Sequence, residues 1–342
     1  MQTYWFNNTI DDGGIYVATR GITNSWKLHW ENNSFACYDR IIENCILLNN
    51  VDPNRVYLMG YSAGGDGVYR VTPVMADRFA AVNMCAGHPN GVSVTNYMHV
   101  PTLLQVGECD TAYNRHKIAV QYNQSLQQRR KACGGDGYVS ECRVHARAAH
   151  SYIKDRGDVT APIIANNSTW ISGGARPGAC SDKSIAGNSI RWLHQYTRDP
   201  IPFHIIFEPN QTGRPSPRGV DLSKVHHYLD LTIVSGRYDA KVIEVSYLSN
   251  TIVIHKMGSA LRILLDDRMI DMGKPVRVQV SAGARDGTSK ECTRSITFGG
   301  PSRKTMNRTL SQRCDPEYIF TNSIDVDLSD ATKCSIVDSS EF

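Results

Sequence analysis

Three side chains in this chain could cooperate as a nucleophile, a base and an orienting acid: Ser62, His150 and Asp110. Ser62 sits in "RVYLMGYSAGGDG", where Gly60-Tyr61-Ser62-Ala63-Gly64 matches G-x-S-x-G and Gly65 follows. Three fixed positions of that kind arise by chance in roughly one chain in ten of this length, so the weight falls on their context. A short apolar run precedes Ser62 and a segment able to start a helix follows it, the setting of a nucleophile elbow. Such a turn holds its Ser in strained backbone, and bulky side chains at Gly60 and Gly64 are expected to collide across it. The hydroxyl would then stand above a sheet, with the Ala63 N–H pointing at a developing oxyanion.

A Ser hydroxyl needs a base, and the base needs an acid to orient it. Asp110 lies 48 residues past Ser62, at the end of the apolar run "VPTLLQVGECD". His150 follows 40 residues later, just past "ECRVHARA". All three therefore stand at or beyond the carboxyl ends of successive strands, where crevices form in parallel sheets. Glu108 is the alternative acid. His145 falls inside a strand pattern and His116 in the helix after the acid. His194, His204, His226, His227 and His255 fall later in the chain.

The elements that must position these groups are read from periodicity. "GIYVAT" (14–19), "RVYLMG", "FAAVNMCAG", "VPTLLQVG" and "ECRVHARA" read as buried strands. Phe35, Tyr38, Ile41, Ile42, Cys45 and Leu48 recur at helical spacing. "KIAVQYNQSLQQRRKAC" and "GNSIRWLHQYTR" (187–198) read as helices, and the helix after Gly64 is expected to kink at Pro73. Near-continuous apolar strands alternating with helices predict a doubly wound, mostly parallel sheet over residues 1–207. Residues 151–186, rich in Gly, Ser, Asn and Pro, are expected to form an insertion or lid, and 208–225 a linker. From 226 to 330 the period falls to two: "HHYLDLTIV", "VIEVSY", "TIVIHK", "ALRILL", "VRVQVSA", "RSITF" and "SIDVDL" predict a small all-β sandwich. "TMNRTLSQR" adds helical residues, and 331–342 is expected to be a tail.

"GIYVATRGITNSW", "DPNRVYLMGYSAGGDGVYR", "ADRFAAVNMCAGHPNG" and "VGECDTAYNR" resemble the α/β-hydrolase superfamily. The branch they resemble comprises esterases and depolymerases similar to poly(3-hydroxybutyrate) depolymerase. The resemblance spans roughly residues 14 to 205. It implies Ser62 as nucleophile, Asp110 as acid, His150 as base, and no metal or organic cofactor. "RWLHQYTRDPIP" resembles the family's final helix, and "ALRILLDDRMIDMGKPVRVQV" a β-sandwich appended to some members. Two departures stand out. The insertion after His150 is long, and no HG-type loop precedes "GIYVATRG" to supply a second oxyanion donor. The sheet is accordingly expected to lack its N-terminal strands.

Composition limits the rivals. A net charge of +4 is too small and dispersed for a nucleic-acid or anionic-membrane partner. No apolar run approaches the ~20 residues of a membrane span. The start "MQTYWFNNTIDDGG" has neither the basic nor the apolar part of a signal peptide, which gives a cytoplasmic expectation. The ten cysteines show no C-x-x-C spacing, so buried free thiols are expected rather than a disulfide framework. Sequons begin at Asn7, Asn32, Asn123, Asn166, Asn167, Asn210 and Asn307. The leading expectation is a serine hydrolase acting on a small or polymeric carboxylic ester. A prolyl-oligopeptidase-like peptidase shares the elbow, and a non-catalytic binding protein on a truncated hydrolase fold is the reading from another class.

Overall fold

The computed structural model describes residues 14–20, 24–31, 34–150, 153–154, 163–166, 185–186, 189–209, 221–234, 238–283, 289–330 and 333–340. The fold is mixed α/β. The chain forms two compact units: residues 1–34 with 54–198, and 35–53 with 199–342.

The first unit is built on strands β1 (Tyr57–Tyr61), β2 (Ala81–Cys85), β3 (Thr102–Gly107) and β4 (Ser140–His145). They pair in parallel in that order. Every residue of β2 and β3 is buried, as expected of parallel strands covered on both faces. Between them lie the helices α2 (Ala63–Val71) and α3 (Arg115–Ala132), and α4 (Ser189–Leu193) comes after; α1 (Ser34–Asn49) groups with the second unit. Under α4, Trp192 and Leu193 pack with Ala81 and Leu103.

Two expectations for this unit are corrected. "GIYVAT" is not a buried strand: residues 14–20 carry no regular structure, and Ile15 and Val17 are exposed. Strand N–H and C=O groups need a paired neighbour, and no described residue pairs there. Helix α2 does not kink at Pro73 but ends before it, since Pro brings no N–H to the ladder. Within the 151–186 segment, expected as an insertion or lid, the described residues form short strands. β6 (Ile163–Asn166) runs antiparallel against β4, and the two-residue strands β5 (Ile153–Lys154) and β7 (Ile185–Ala186) pair with each other. The rest of that segment, and most of the expected linker, lie outside the described residues.

In the second unit two five-stranded sheets share one apolar core. One has the order β17-β16-β13-β10-β9 and is antiparallel throughout. Its strands are β9 (Val225–His226), β10 (Leu229–Asp230), β13 (Ala260–Leu265), β16 (Asn322–Asp327) and β17 (Ser335–Asp338). The other has the order β15-β14-β12-β11-β8, from β8 (His204–Phe207), β11 (Ile243–Leu248), β12 (Thr251–Lys256), β14 (Val276–Gly283) and β15 (Ser289–Ile296). Only its β12–β14 pair is parallel. Alternation is clear in β14, where Val276, Val278 and Val280 enter the core. Helix α5 (Arg303–Arg313) is capped by Ser302, whose hydroxyl accepts from the Thr305 N–H.

The expected boundaries shift here. His204–Phe207, assigned above to the first domain, pairs with Ile243–Ser246, and the expected tail contributes β17. The cysteine expectation also changes. Cys292 in β15 is bonded to Cys334 beside β17, and Cys109 is disulfide-bonded. Among the six free cysteines of the described residues only Cys85 and Cys142 are buried. The Cys292–Cys334 bond joins edge strands of the two sheets, and Arg294 Nη1 reinforces it by donating to the Ile336 carbonyl at 2.7 Å.

Candidate active site

Strand β1 delivers its chain into Ser62, which has φ 55° and ψ −121°. An L-residue is held there only by its surroundings. Two contacts hold it: the Ser62 N–H donates to the Cys85 carbonyl at 2.9 Å, and the Ser62 carbonyl accepts from the Asp66 N–H at 3.0 Å, opening α2. Two of the three elbow glycines are sterically required. A Cβ at Gly60 would lie 2.2 Å from the Gly64 carbonyl oxygen, and one at Gly65 would lie 2.5 Å from that of Cys85. Gly64 differs from expectation: its Cβ would meet only His29 Nε2, at 3.9 Å. As the first residue of α2, Ala63 has an N–H with no acceptor inside the helix.

The pairing of β3 with β4 continues past the strand ends and brings the other two groups together. Glu108 N–H donates to the His145 carbonyl at 2.9 Å, and Cys109 N–H to that of Ala148 at 2.8 Å. His150 Nδ1 lies 2.8 Å from Asp110 Oδ2, and His150 Nε2 lies 2.9 Å from Ser62 Oγ. An ionised carboxylate only accepts, so Nδ1 carries the proton and Nε2 offers its lone pair to the Ser hydroxyl. Asp110 is buried, and the His150 side chain remains 35% exposed, open to a reacting partner.

Competing residues find other roles. Glu108 Oε2 accepts from the Arg147 N–H at 2.8 Å, holding the loop that leads to His150. The His116 N–H and ring Nδ1 lie 3.2 and 2.9 Å from the Asp110 carbonyl oxygen; the carbonyl can only accept, so His116 clamps the acid's backbone. His145 is fully buried with Nε2 3.0 Å from Gln105 Oε1. Burial, helped by the Arg143 charge, pushes its pKa down to about 3. Of the later histidines, His204 lies 3.3 Å from Glu244 and His255 2.8 Å from Ser246, both in the second unit.

Three positioning residues were not anticipated. Tyr61 donates its hydroxyl to the His150 carbonyl at 2.8 Å, with its ring 5.2 Å from the imidazole. A Cβ at Gly107 would lie 2.2 Å from the Ala148 carbonyl oxygen, so glycine there lets the His150 loop cross the end of β3. Gly87 plays the same part beside Gly65 and Asp66, whose Oδ1 accepts from the His88 N–H at 2.6 Å. Burial raises the Asp66 pKa against those stabilising contacts. For the two glycines the local hint was a Gly closing each strand pattern; Tyr61 had none.

Among the described residues no group of three His, Cys, Asp or Glu is placed to hold a metal ion, and no helix is long and apolar enough to cross a membrane. No protein-family model matches the chain, and no curated protein matches it.

Proposed function

We propose that this chain is a serine hydrolase of the α/β-hydrolase type, with a β-sandwich as its second domain, and that it cleaves carboxylic esters. The observation that carries the reading is the unbroken relay Asp110 Oδ2, His150 Nδ1, His150 Nε2, Ser62 Oγ, at 2.8 and 2.9 Å. Ser62 Oγ attacks the ester carbonyl carbon while its proton passes to His150 Nε2. The carbonyl oxygen becomes an oxyanion facing the Ala63 N–H and the N-terminus of α2. Asp110 stabilises the imidazolium and keeps its ring oriented. Collapse of the intermediate breaks the bond to the alcohol oxygen, which takes the proton from His150. Water then attacks the acyl-enzyme, gives its proton to His150, and the second collapse releases the acid and restores Ser62.

Two observations support an activated nucleophile over an inert turn. Ser62 is held at positive φ, and its hydroxyl makes no cap bond to α2. Ester rather than amide substrates follow from the depolymerase-like resemblance. The disulfides favour an oxidising compartment over the cytoplasmic expectation, because such bonds are rare where thiols are kept reduced.

A fluorophosphonate probe tests the reading. Wild type is expected to label covalently and Ser62→Ala to stay unlabelled; a folded wild-type protein that does not label overturns it. p-Nitrophenyl esters are expected to turn over faster than matched peptide anilides, and the opposite order would favour a peptidase.

A further inference from the structure

The acid of the relay has a second, charged neighbour. Asp110 directs Oδ2 at His150, while its buried Oδ1 has no hydrogen-bond partner among the described residues. Arg115 Nη1 lies 3.5 Å from that Oδ1, and both side chains are largely buried. Arg115 is the first residue of α3. Its guanidinium is held from two further directions: Nη1 donates to the Ala112 carbonyl at 3.4 Å, and the Tyr113 ring centroid lies 4.8 Å away. The same charge stabilises the carboxylate of Asp66, one turn into the helix that follows the elbow.

The backbone that sets this up is unusual. Tyr113 and Asn114 are consecutive left-handed residues, with φ 56° and 57°. Asn114 is a residue type that accepts this backbone, but Tyr113 is not, and such a conformation persists in a bulky L-residue only when the surroundings demand it. Here they reverse the chain between Asp110 and Arg115, so that a residue five positions on turns back to the acid. Tyr113 is 75% exposed, so core burial does not explain its placement; its ring contact with Arg115 does.

We propose that Arg115 is a positioning residue of the Ser62–His150–Asp110 relay, aided by Tyr113; this rests on the serine-hydrolase reading above. A carboxylate bonded through one oxygen can swing about its χ2. The ionic contact at Oδ1 removes that freedom and keeps Oδ2 aimed at His150 Nδ1. The attraction acts between buried groups, where solvent screens it weakly. Arg115 touches no reacting atom, so its loss disturbs the alignment needed for proton transfer and leaves ground-state substrate binding alone.

The test uses the full chain, with fluorophosphonate labelling and p-nitrophenyl butyrate turnover as readouts. Arg115→Met is expected to lower kcat and the labelling rate by about a hundredfold, the scale of a small misalignment, with KM within about twofold of wild type. Arg115→Lys is expected to recover most of the rate, since one ionic contact needs a charge and not a fork. Guanidinium ion at tens of millimolar is expected to restore Arg115→Ala, roughly tenfold. Tyr113→Asn keeps a residue suited to left-handed backbone and removes only an exposed ring, so it is measurable even if the Arg115 truncations unfold. It is expected to reduce kcat about fivefold at constant KM. Folded Arg115→Met at the wild-type labelling rate overturns the proposal and leaves the hydrolase reading standing. So does Tyr113→Asn at wild-type kcat if the truncations unfold. A folded wild type that does not label overturns both.

Discussion

The two units place their backbone strain differently. In the first, five non-glycine residues at positive φ lie beyond the carboxyl ends of the parallel strands: Ser62 after β1, Ala86 after β2, Tyr113 and Asn114 after β3, Arg147 after β4; Asn90 lies in the β2–β3 connection and Tyr138 just before β4. In the second, Asn50 sits just after α1, Ser249 between β11 and β12, His227 between β9 and β10, and Cys314 at the end of α5. Those are ordinary turn and cap positions. Each strained residue costs about 1–3 kcal/mol, so one unit concentrates its strain around a cluster of polar groups. The other relies on alternating strands, a shared core and a covalent tie between its sheets. Strain gathered at one end of a sheet is the signature of a site; strain confined to turns is the signature of a scaffold.

Four changes would break or sharpen that contrast. The largest effect belongs to Ser62→Ala, which is expected to cut kcat for a p-nitrophenyl ester on the order of 10⁶-fold without lowering thermal stability. A residual rate within tenfold of wild type would place the chemistry elsewhere. Next, replacing Cys292 and Cys334 together by Ser opens a loop with a sequence separation of 42. By the chain-entropy relation this removes about 4 kcal/mol. Urea unfolding should locate the loss in the second unit, with Ser62 labelling intact below the transition; lost labelling there would mean that the site depends on the scaffold.

The elbow glycines make a matched pair. Gly60→Ala forces a Cβ to 2.2 Å from a backbone oxygen and is expected to cost about 3 kcal/mol and most of the activity. Gly64→Ala, in a helix with room for a methyl group, should be the smallest effect: a stabilisation of about 0.5 kcal/mol, read from Tm. Equal losses at both positions would contradict the close approach assigned to Gly60.

His145 supplies a pH test between these extremes. Its folded pKa is depressed to about 3 from 6.5. Between those values the unfolded chain binds a proton that the folded chain refuses. The contribution is therefore fully present above about pH 6.5 and is lost as pH falls toward 3. From pH 7 to 5 the loss is about 2 kcal/mol. Denaturant melts of His145→Gln against wild type at the two pH values should show a shallower acid slope in the variant; parallel slopes would mean that His145 takes up its proton in the folded state.

Much of this was legible in the sequence where the signal was local or of fixed order. The runs now seen as β2 and β3 are near-continuously apolar, broken by the buried Asn83 and Gln105, because both faces are covered. Ser62, Asp110 and His150 could be aligned because each follows a strand pattern. What escaped depends on distant partners. β6 and β17 are four residues each, too short for a period-two signal to rise above chance. "GIYVAT" had the composition of a strand but no neighbour to pair with among the described residues. Gly107 is needed because of a loop 41 positions away, and Gly64 looked essential only by symmetry with Gly60. The Cys292–Cys334 pairing has no spacing rule that could have revealed it. Arg115 stood just outside the helix read from "KIAVQYNQSLQQRRKAC", and nothing local announces two left-handed residues that turn it back on Asp110.

The hydroxyl of Tyr61 on the His150 carbonyl has a further consequence for dynamics. The residue before Ser62 is tied to the backbone of His150, across 89 positions of chain. Opening of the loop that carries His150 must therefore break a bond to a sheet strand. The His150 loop and the turn at Ser62 thus belong to one cooperative opening unit, and in hydrogen exchange the loop amides would share the kinetics of β1 instead of fraying on their own.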